Sequence, residues 1–108
     1  MVSIQIGSNY VTQINHIKVK PEDRDKLVQL MTEQADEVMS KQPGFISINI
    51  HKSLDGTQVV NYVQWTTKEL LDAAHETPEF IDYFQKYKGF LLEGGPYLYE
   101  IAYQKSSS

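Results

Sequence analysis

From Tyr10 to Lys20 the side chains alternate, with Val11, Gln13, Asn15, Ile17 and Val19 on one face of an extended chain and Thr12, Ile14, His16 and Lys18 on the other. A period of two in a stretch rich in β-branched residues predicts a strand. The period then changes. Pro21, Glu22 and Asp23 open a helix, since proline suits the first turn and acidic groups favour the positive end of the helix dipole. Leu27, Leu30, Met31, Gln34, Ala35 and Val38 recur at helical spacing, opposite Glu33, Asp36, Glu37 and Lys41. That stripe predicts an amphipathic helix of about five turns, stopped by Pro43-Gly44.

Two further β-prone runs, Phe45 to Lys52 and Gln58 to Trp65, flank Ser53-Leu54-Asp55-Gly56-Thr57. The Asp-Gly pair supplies the positive φ of a tight loop, so the three pieces predict a hairpin. Thr66-Thr67-Lys68-Glu69 resembles a capping box before Leu70, Leu71, Ala73 and Ala74, and predicts a second helix. Thr77-Pro78-Glu79 restarts a helical piece with Phe80, Ile81, Phe84 and Tyr87 on its apolar side. Gly94-Gly95-Pro96 is expected to break the chain. Tyr97, Tyr99, Ile101 and Tyr103 then alternate with Leu98, Glu100, Ala102 and Gln104 as a last strand.

The order strand, helix, strand, strand, helix, strand is the split βαβ pattern, an antiparallel four-stranded sheet with helices on one face. Residues 1–9 read as an arm, 10–104 as the folded domain and 105–108 as a polar tail. Ile14, Ile46, Ile48, Ile50, Tyr62 and Leu98 are assigned to strand faces that the helices leave uncovered. An apolar face of that kind marks an interface, and a two-fold homodimer with the sheets packed face to face would bury it.

Composition narrows the partners. The chain has 108 residues, 41% apolar and 22% charged, and a net charge of −4, a balance that fits one soluble globular domain. Ten scattered Lys and Arg residues offer no stripe for phosphates, so neither nucleic acid nor an anionic membrane is an expected partner. No apolar run reaches the ~18 residues of a membrane span and the N-terminus lacks a signal-peptide layout, so a cytoplasmic location is expected. The absence of cysteine removes disulfides, thiol nucleophiles and thiolate metal sites together.

Candidate chemistry sits on the third strand. The period of two puts Asn61 and Trp65 on the face of Val59 and Val63, and Asn15 shares a face with Ile17 and Val19. An amide and an indole N–H in an apolar layer need partners, because an unpaired buried group costs about 1–3 kcal/mol. Such donors lining one cavity could orient a planar, oxygen-bearing molecule. On spacing alone the alternative stands that Asn61 bonds nearby backbone and Trp65 is simply the largest core residue.

Pro43-Gly44-Phe45-Ile46-Ser47, His51-Lys52-Ser53-Leu54-Asp55-Gly56-Thr57 and Val59-Val60-Asn61-Tyr62-Val63-Gln64-Trp65 together resemble the middle of the antibiotic biosynthesis monooxygenases, closest to the anthrone oxygenases of aromatic polyketide pathways. The resemblance implies an α+β, ferredoxin-like βαββαβ fold, assembled as a dimeric α/β-barrel. It also implies a cofactor-independent monooxygenase that oxidises an anthrone, phenol or quinol-type substrate with O2 to a quinone, with no flavin, haem or metal. Asn61 and Trp65 match the family's catalytic asparagine and tryptophan, and Asn15, matching a polar position on the first strand of some members, is the candidate to orient the substrate. Phe80, Phe84 and Tyr87 are the further candidates for contact with the small aromatic substrate.

A tyrosine and an arginine of some anthrone oxygenases have no counterpart here, the tyrosine position falling near Leu71. Haem-degrading relatives place a tryptophan and a ligating histidine at about Ala74 and Phe84, which leaves His75 beside the first position and not at the second. His16, His51 and His75 show no metal-ligand spacing and are read as solvated or interface residues, though a neutral imidazole could take a phenol proton. A different class of function also fits the fold: a non-catalytic dimeric module that binds a small aromatic ligand, or a stress-response domain. A donor-lined cavity beside Trp65 favours the enzyme, and a cavity filled by Phe80, Phe84 and Tyr87 favours the module.

Overall fold

The computed structural model describes residues 10–107, so the arm expected at residues 1–9 lies outside the described residues. Four antiparallel strands form the sheet: β1 (Val11–Lys18), β2 (Phe45–Lys52), β3 (Gln58–Trp65) and β4 (Glu93–Tyr99). Their spatial order is β2-β3-β1-β4, which leaves β1 and β3 central. Helices α1 (Arg24–Glu37), α2 (Lys68–His75) and α3 (Pro78–Tyr87) connect them. A 3-10 turn at Pro21–Asp23 leads into α1 and another at Met39–Lys41 follows it.

The helices cover one sheet face because the apolar parity of β1 and β3 points that way. Ile17 and Val59 pack with Leu27, Leu30, Met31 and Tyr87. Val63 and Trp65 pack with Met39, Leu71 and Ala74. Caps fix where α2 and α3 begin: Thr67 Oγ1 accepts from Leu70 N at 3.1 Å and Thr77 Oγ1 from Phe80 N at 3.3 Å. Each such cap contributes about 1 kcal/mol. In the hairpin loop Gly56 takes the expected positive φ of 81°. Asp55 there accepts from Ser53 Oγ, Thr57 N and Thr57 Oγ1, and these bonds lower its carboxyl pKa to about 2.

Three expectations are corrected. The sheet is open and does not close into the expected α/β-barrel: β2 pairs only with β3 and β4 only with β1 among the described residues. Four strands cannot curl back on themselves around packed side chains, which takes about eight.

The last strand runs over Glu93–Tyr99 and not Tyr97–Gln104, and it takes in the Gly94-Gly95-Pro96 expected to break the chain. An edge position makes this possible, since proline is tolerated where one side of the strand needs no ladder partner.

The third correction concerns β2. Phe45 opposes Trp65 but Ser47 opposes Gln64, so Ile46 is an extra residue, a bulge. Past it the parity flips. Ile48 and Ile50 stand opposite Val63 and Asn61 and pack on the helix side, while Ser47, Asn49 and His51 take the other face. Leu98, opposite Gln13, likewise belongs to the helix-side register. Ile14 and Tyr62, both from the expected uncovered set, face away from the helices, with Tyr97 and Tyr99 beside β1.

Candidate active site

Between the helix-covered face of the sheet and helices α1 to α3 lies a cavity of about 340 Å³, within the range of small-molecule sites. Its floor comes from β1, β2 and β3: Gln13, Asn15, Ile17, Ile48, Asn61 and Val63. Met31, Gln34 and Ala35 of α1 and Met39 form one wall; His75, Phe80, Phe84 and Tyr87 form the other. Most of this surface is apolar, and its polar residues are four carboxamides, on Gln13, Asn15, Gln34 and Asn61, with His75, Tyr87 and Glu93.

The strand register assembles the central pair. Asn15 and Asn61 are directly opposed on β1 and β3, and Asn15 Nδ2 donates to Asn61 Oδ1 at 2.9 Å. This bond settles the orientation of the Asn61 amide, whose carbonyl oxygen is occupied by Asn15. Its Nδ2 protons remain to donate to a ligand, and Asn15 Oδ1 remains to accept. The spacing argument that put both residues on the helix-facing side therefore corresponds to a contact.

A third carboxamide holds the opposite wall in place. Gln34, 6% exposed on α1, donates through Nε2 to Phe80 O at 3.1 Å and accepts at Oε1 from the Tyr87 hydroxyl at 2.7 Å. Both bonds reach α3, so one glutamine sets the distance between α1 and α3 across the cavity. Nearby, the Tyr83 hydroxyl donates to the Glu37 carboxylate at the surface.

Burial pushes the Tyr87 phenol up to about 12 from its ordinary value near 10. In the unfolded chain the proton leaves at the lower pH, so the stabilisation from Tyr87 is complete below pH 10 and is lost as pH rises from 10 to 12. Tyr83 shifts in the same direction through its Glu37 bond, but at the surface solvent screens the effect. We expect urea midpoints at pH 9 and pH 11 to diverge in the wild type, and Tyr87→Phe to shrink that difference. An unchanged difference would place the alkaline loss elsewhere.

The residues singled out from sequence are brought together only in part. Asn15, Asn61, Phe80, Phe84 and Tyr87 all line the cavity, and the aromatic residues form its wall without filling it. Phe84 is 37% exposed at its rim and meets Tyr87 edge to face, with centroids 5.5 Å apart. Trp65 does not line the cavity: it is fully buried behind Val63 and Met39, edge to face with Phe45. Its indole Nε1–H is buried and has no hydrogen-bond partner among the described residues. Leu71 is core.

The polar lining residues outside the set singled out from sequence are Gln13, Gln34, His75 and Glu93. Gln13 shares the parity of Asn15, and Gln34 is a carboxamide inside an apolar helical stripe; both were legible as buried polar groups. His75, read as a solvated or interface residue near a helix end, does end α2 but stands half-buried on the cavity wall. Burial lowers its pKa from the ordinary value of 6.5, against an opposing pull from Asp72. Among the described residues no group of three His, Asp or Glu side chains is placed to hold a metal ion, and no helix is long and apolar enough to cross a membrane.

Comparison with known proteins places this arrangement. Residues 10–86 match the family described as antibiotic biosynthesis monooxygenase. The chain is 32% identical over 84 residues to tetracenomycin-F1 monooxygenase of Streptomyces glaucescens, covering 78% of this chain and 75% of that protein. Its fold superposes with a TM-score of 0.75 on SnoaB, a cofactor-independent oxygenase from Streptomyces nogalater, at 22% identity over 92% of this chain and 98% of that one. A protein of Methanosarcina mazei Go1 shares the fold at a TM-score of 0.76 and 19% identity, over 84% and 91% of the two chains.

Proposed function

The chain belongs to the antibiotic biosynthesis monooxygenase family, and from that premise we propose that it oxidises an anthrone or quinol-type aromatic substrate with O2 to a quinone, using no cofactor. The observation that carries this reading is the Asn15–Asn61 pair, whose register leaves the Asn61 amide protons to donate in a cavity whose surface is mostly apolar. An electron-rich enolate can pass an electron to O2 directly. The protein's work is then to bind the substrate away from water, hold the oxyanion and retain the peroxide. Neutral N–H donors suit all three tasks, since they stabilise a developing negative charge without a proton of their own to lose.

Asn61 donates to the enolate or peroxy oxygen, and Asn15 fixes the Asn61 amide and orients the substrate. Phe80, Phe84 and Tyr87 supply the flat apolar wall. Trp65, matched to the family tryptophan but buried outside the cavity lining, would join the donor set only where Val63 and Met39 move aside for the substrate. Its support is the unpartnered indole N–H, a group that costs about 1–3 kcal/mol unless a ligand or intermediate answers it. Trp65→Phe keeps a ring in the core and deletes the donor, and we expect about a tenfold loss of turnover with little change in substrate affinity. An unaltered rate in a folded Trp65→Phe variant would reduce Trp65 to a core residue.

The family kinship is also consistent with a substrate drawn from aromatic polyketide synthesis and with action in the cytoplasm. The sheet face turned from the helices presents Tyr97 at 64% and Tyr99 at 43% exposure, beside half-buried Ile14 and Tyr62. We take that aromatic surface as the contact between two copies of the chain. Light scattering would report twice the monomer mass, and a monomer at micromolar concentration would refute the pairing.

The oxidation is tested by supplying an anthrone and 18O2 in the presence of a chelator. The new carbonyl is expected to carry the label, two mass units heavier. Unlabelled quinone, or a rate equal to that without protein, would overturn the assignment.

A further inference from the structure

Oxidation of an anthrone begins with loss of a proton from the ring methylene or its phenol tautomer, and the carboxamides that line the cavity cannot accept it. Three titratable groups lie on the wall: Tyr87, Glu93 and His75. Tyr87 has its hydroxyl proton committed to Gln34 Oε1. The Glu93 carboxylate is 71% exposed and paired with Lys18 at 3.0 Å. His75 is placed differently. Its ring lies nearly parallel to Phe80, with centroids 4.5 Å apart and planes 20° apart, so the imidazole is held as part of the same aromatic wall that would bear on the substrate.

We infer that His75 is the general base of the reaction, taking the substrate proton and returning it to the departing oxygen. This rests on the oxidation proposed above. In the first step the imidazole takes one methylene proton, leaving the enolate and an imidazolium. The enolate adds O2, through electron transfer and radical recombination, to form a C–O bond and a peroxy anion, which the imidazolium protonates. In the last step His75 removes the remaining C–H proton as the O–O bond breaks, and the imidazolium protonates the leaving hydroxide. The sum is CH2 + O2 → C=O + H2O, with O2 the oxidant throughout.

The base must be unprotonated at the start, and the surroundings favour that. Burial holds the imidazole below its ordinary 6.5, and the Asp72 carboxylate on the same helix opposes this less strongly. The elements packed against α2 are α3 and β3. α3 carries Glu79, Asp82, Tyr83, Lys86 and Tyr87, and β3 carries only Tyr62, on the far face of the sheet. The adjoining turn Met39–Lys41 adds exposed Lys41.

The test is the pH dependence of kcat/KM for oxygen uptake with dithranol, run on wild type and His75→Gln, and on His75→Ala with and without free imidazole. Wild type is expected to lose activity on the acid side below pH 6.5, with a midpoint equal to the His75 pKa measured by NMR. His75→Gln should fall about 100-fold and lose that acid limb, and imidazole should restore part of the His75→Ala rate. A His75→Gln variant with wild-type rate and profile overturns the base while the oxidation stands. A wild-type midpoint that departs from the NMR value does the same, even if the variants fail to fold. Absence of turnover in wild type removes the oxidation, and this inference with it.

Discussion

Asn61→Ala is expected to lower kcat for anthrone oxidation about 10² to 10³-fold, the cost of deleting one preorganised donor to a developing oxyanion. The loss should sit in kcat more than in KM, since the donor acts on charge that grows as the enolate and peroxide form. The structure also predicts how a gentler change behaves. Asn61→Asp keeps an acceptor for the Asn15 amide at Oδ1 but puts a carboxylate where the two amide protons stood. The fold should persist while a like charge now faces the enolate, so the variant should be at least as inactive as the alanine. A half-active Asn61→Asp protein would mean that Asn61 serves only to hold Asn15.

Gly44→Ala carries the largest expected cost in stability. Gly44 has φ = 86°, where a side chain costs about 1–2 kcal/mol. A Cβ there would also lie 2.6 Å from Leu70 Cδ1 and 2.8 Å from both Leu70 Cβ and Thr66 Oγ1. Leu70 is held at the first turn of α2 by the Thr67 cap, and the Gly44 carbonyl accepts from Thr66 N at 2.8 Å, so neither neighbour can withdraw freely. Overpacking of this kind adds about 1–3 kcal/mol. The sum, about 2–5 kcal/mol, is a large part of the 5–15 kcal/mol that typically holds a domain. Urea denaturation should show it, with Gly89→Ala as the control, because a Cβ at Gly89 meets nothing within 4 Å. Equal midpoints for the two variants would contradict the packing at Gly44.

What the sequence disclosed follows from which forces are local. The α1 stripe, the Asp-Gly loop and the threonine caps depend on residues within a turn of one another, and each stands where periodicity placed it. The common face of Asn61 and Trp65 was legible because β3 has unbroken alternation. What was lost depended on a partner strand or a neighbouring helix. The bulge at Ile46 is a mismatch between two strands, and no property of β2 alone reveals that Ile48 and Ile50 change sides after it. β4 starts early because the backbone of β1 recruits Glu93 through Tyr99, overriding the local preference of Gly94-Gly95-Pro96 for a turn. His75 read as a solvated or interface residue near a helix end, and only α3, folding back immediately after it, lays Phe80 on its ring. Trp65 shows the converse, since shared parity with Asn61 places both on the same layer but does not bring both to the cavity.

The central claim, that carboxamide donors on the sheet support oxidation by O2 without a cofactor, is tested most directly with an oxygen electrode. Purified, metal-stripped protein is given dithranol, with Asn61→Ala alongside at equal concentration. The account predicts oxygen uptake well above background in the wild type, unchanged by chelator, and uptake near background in the variant. Wild-type uptake that vanishes on metal removal, or a variant that consumes oxygen as fast as the wild type, would contradict it.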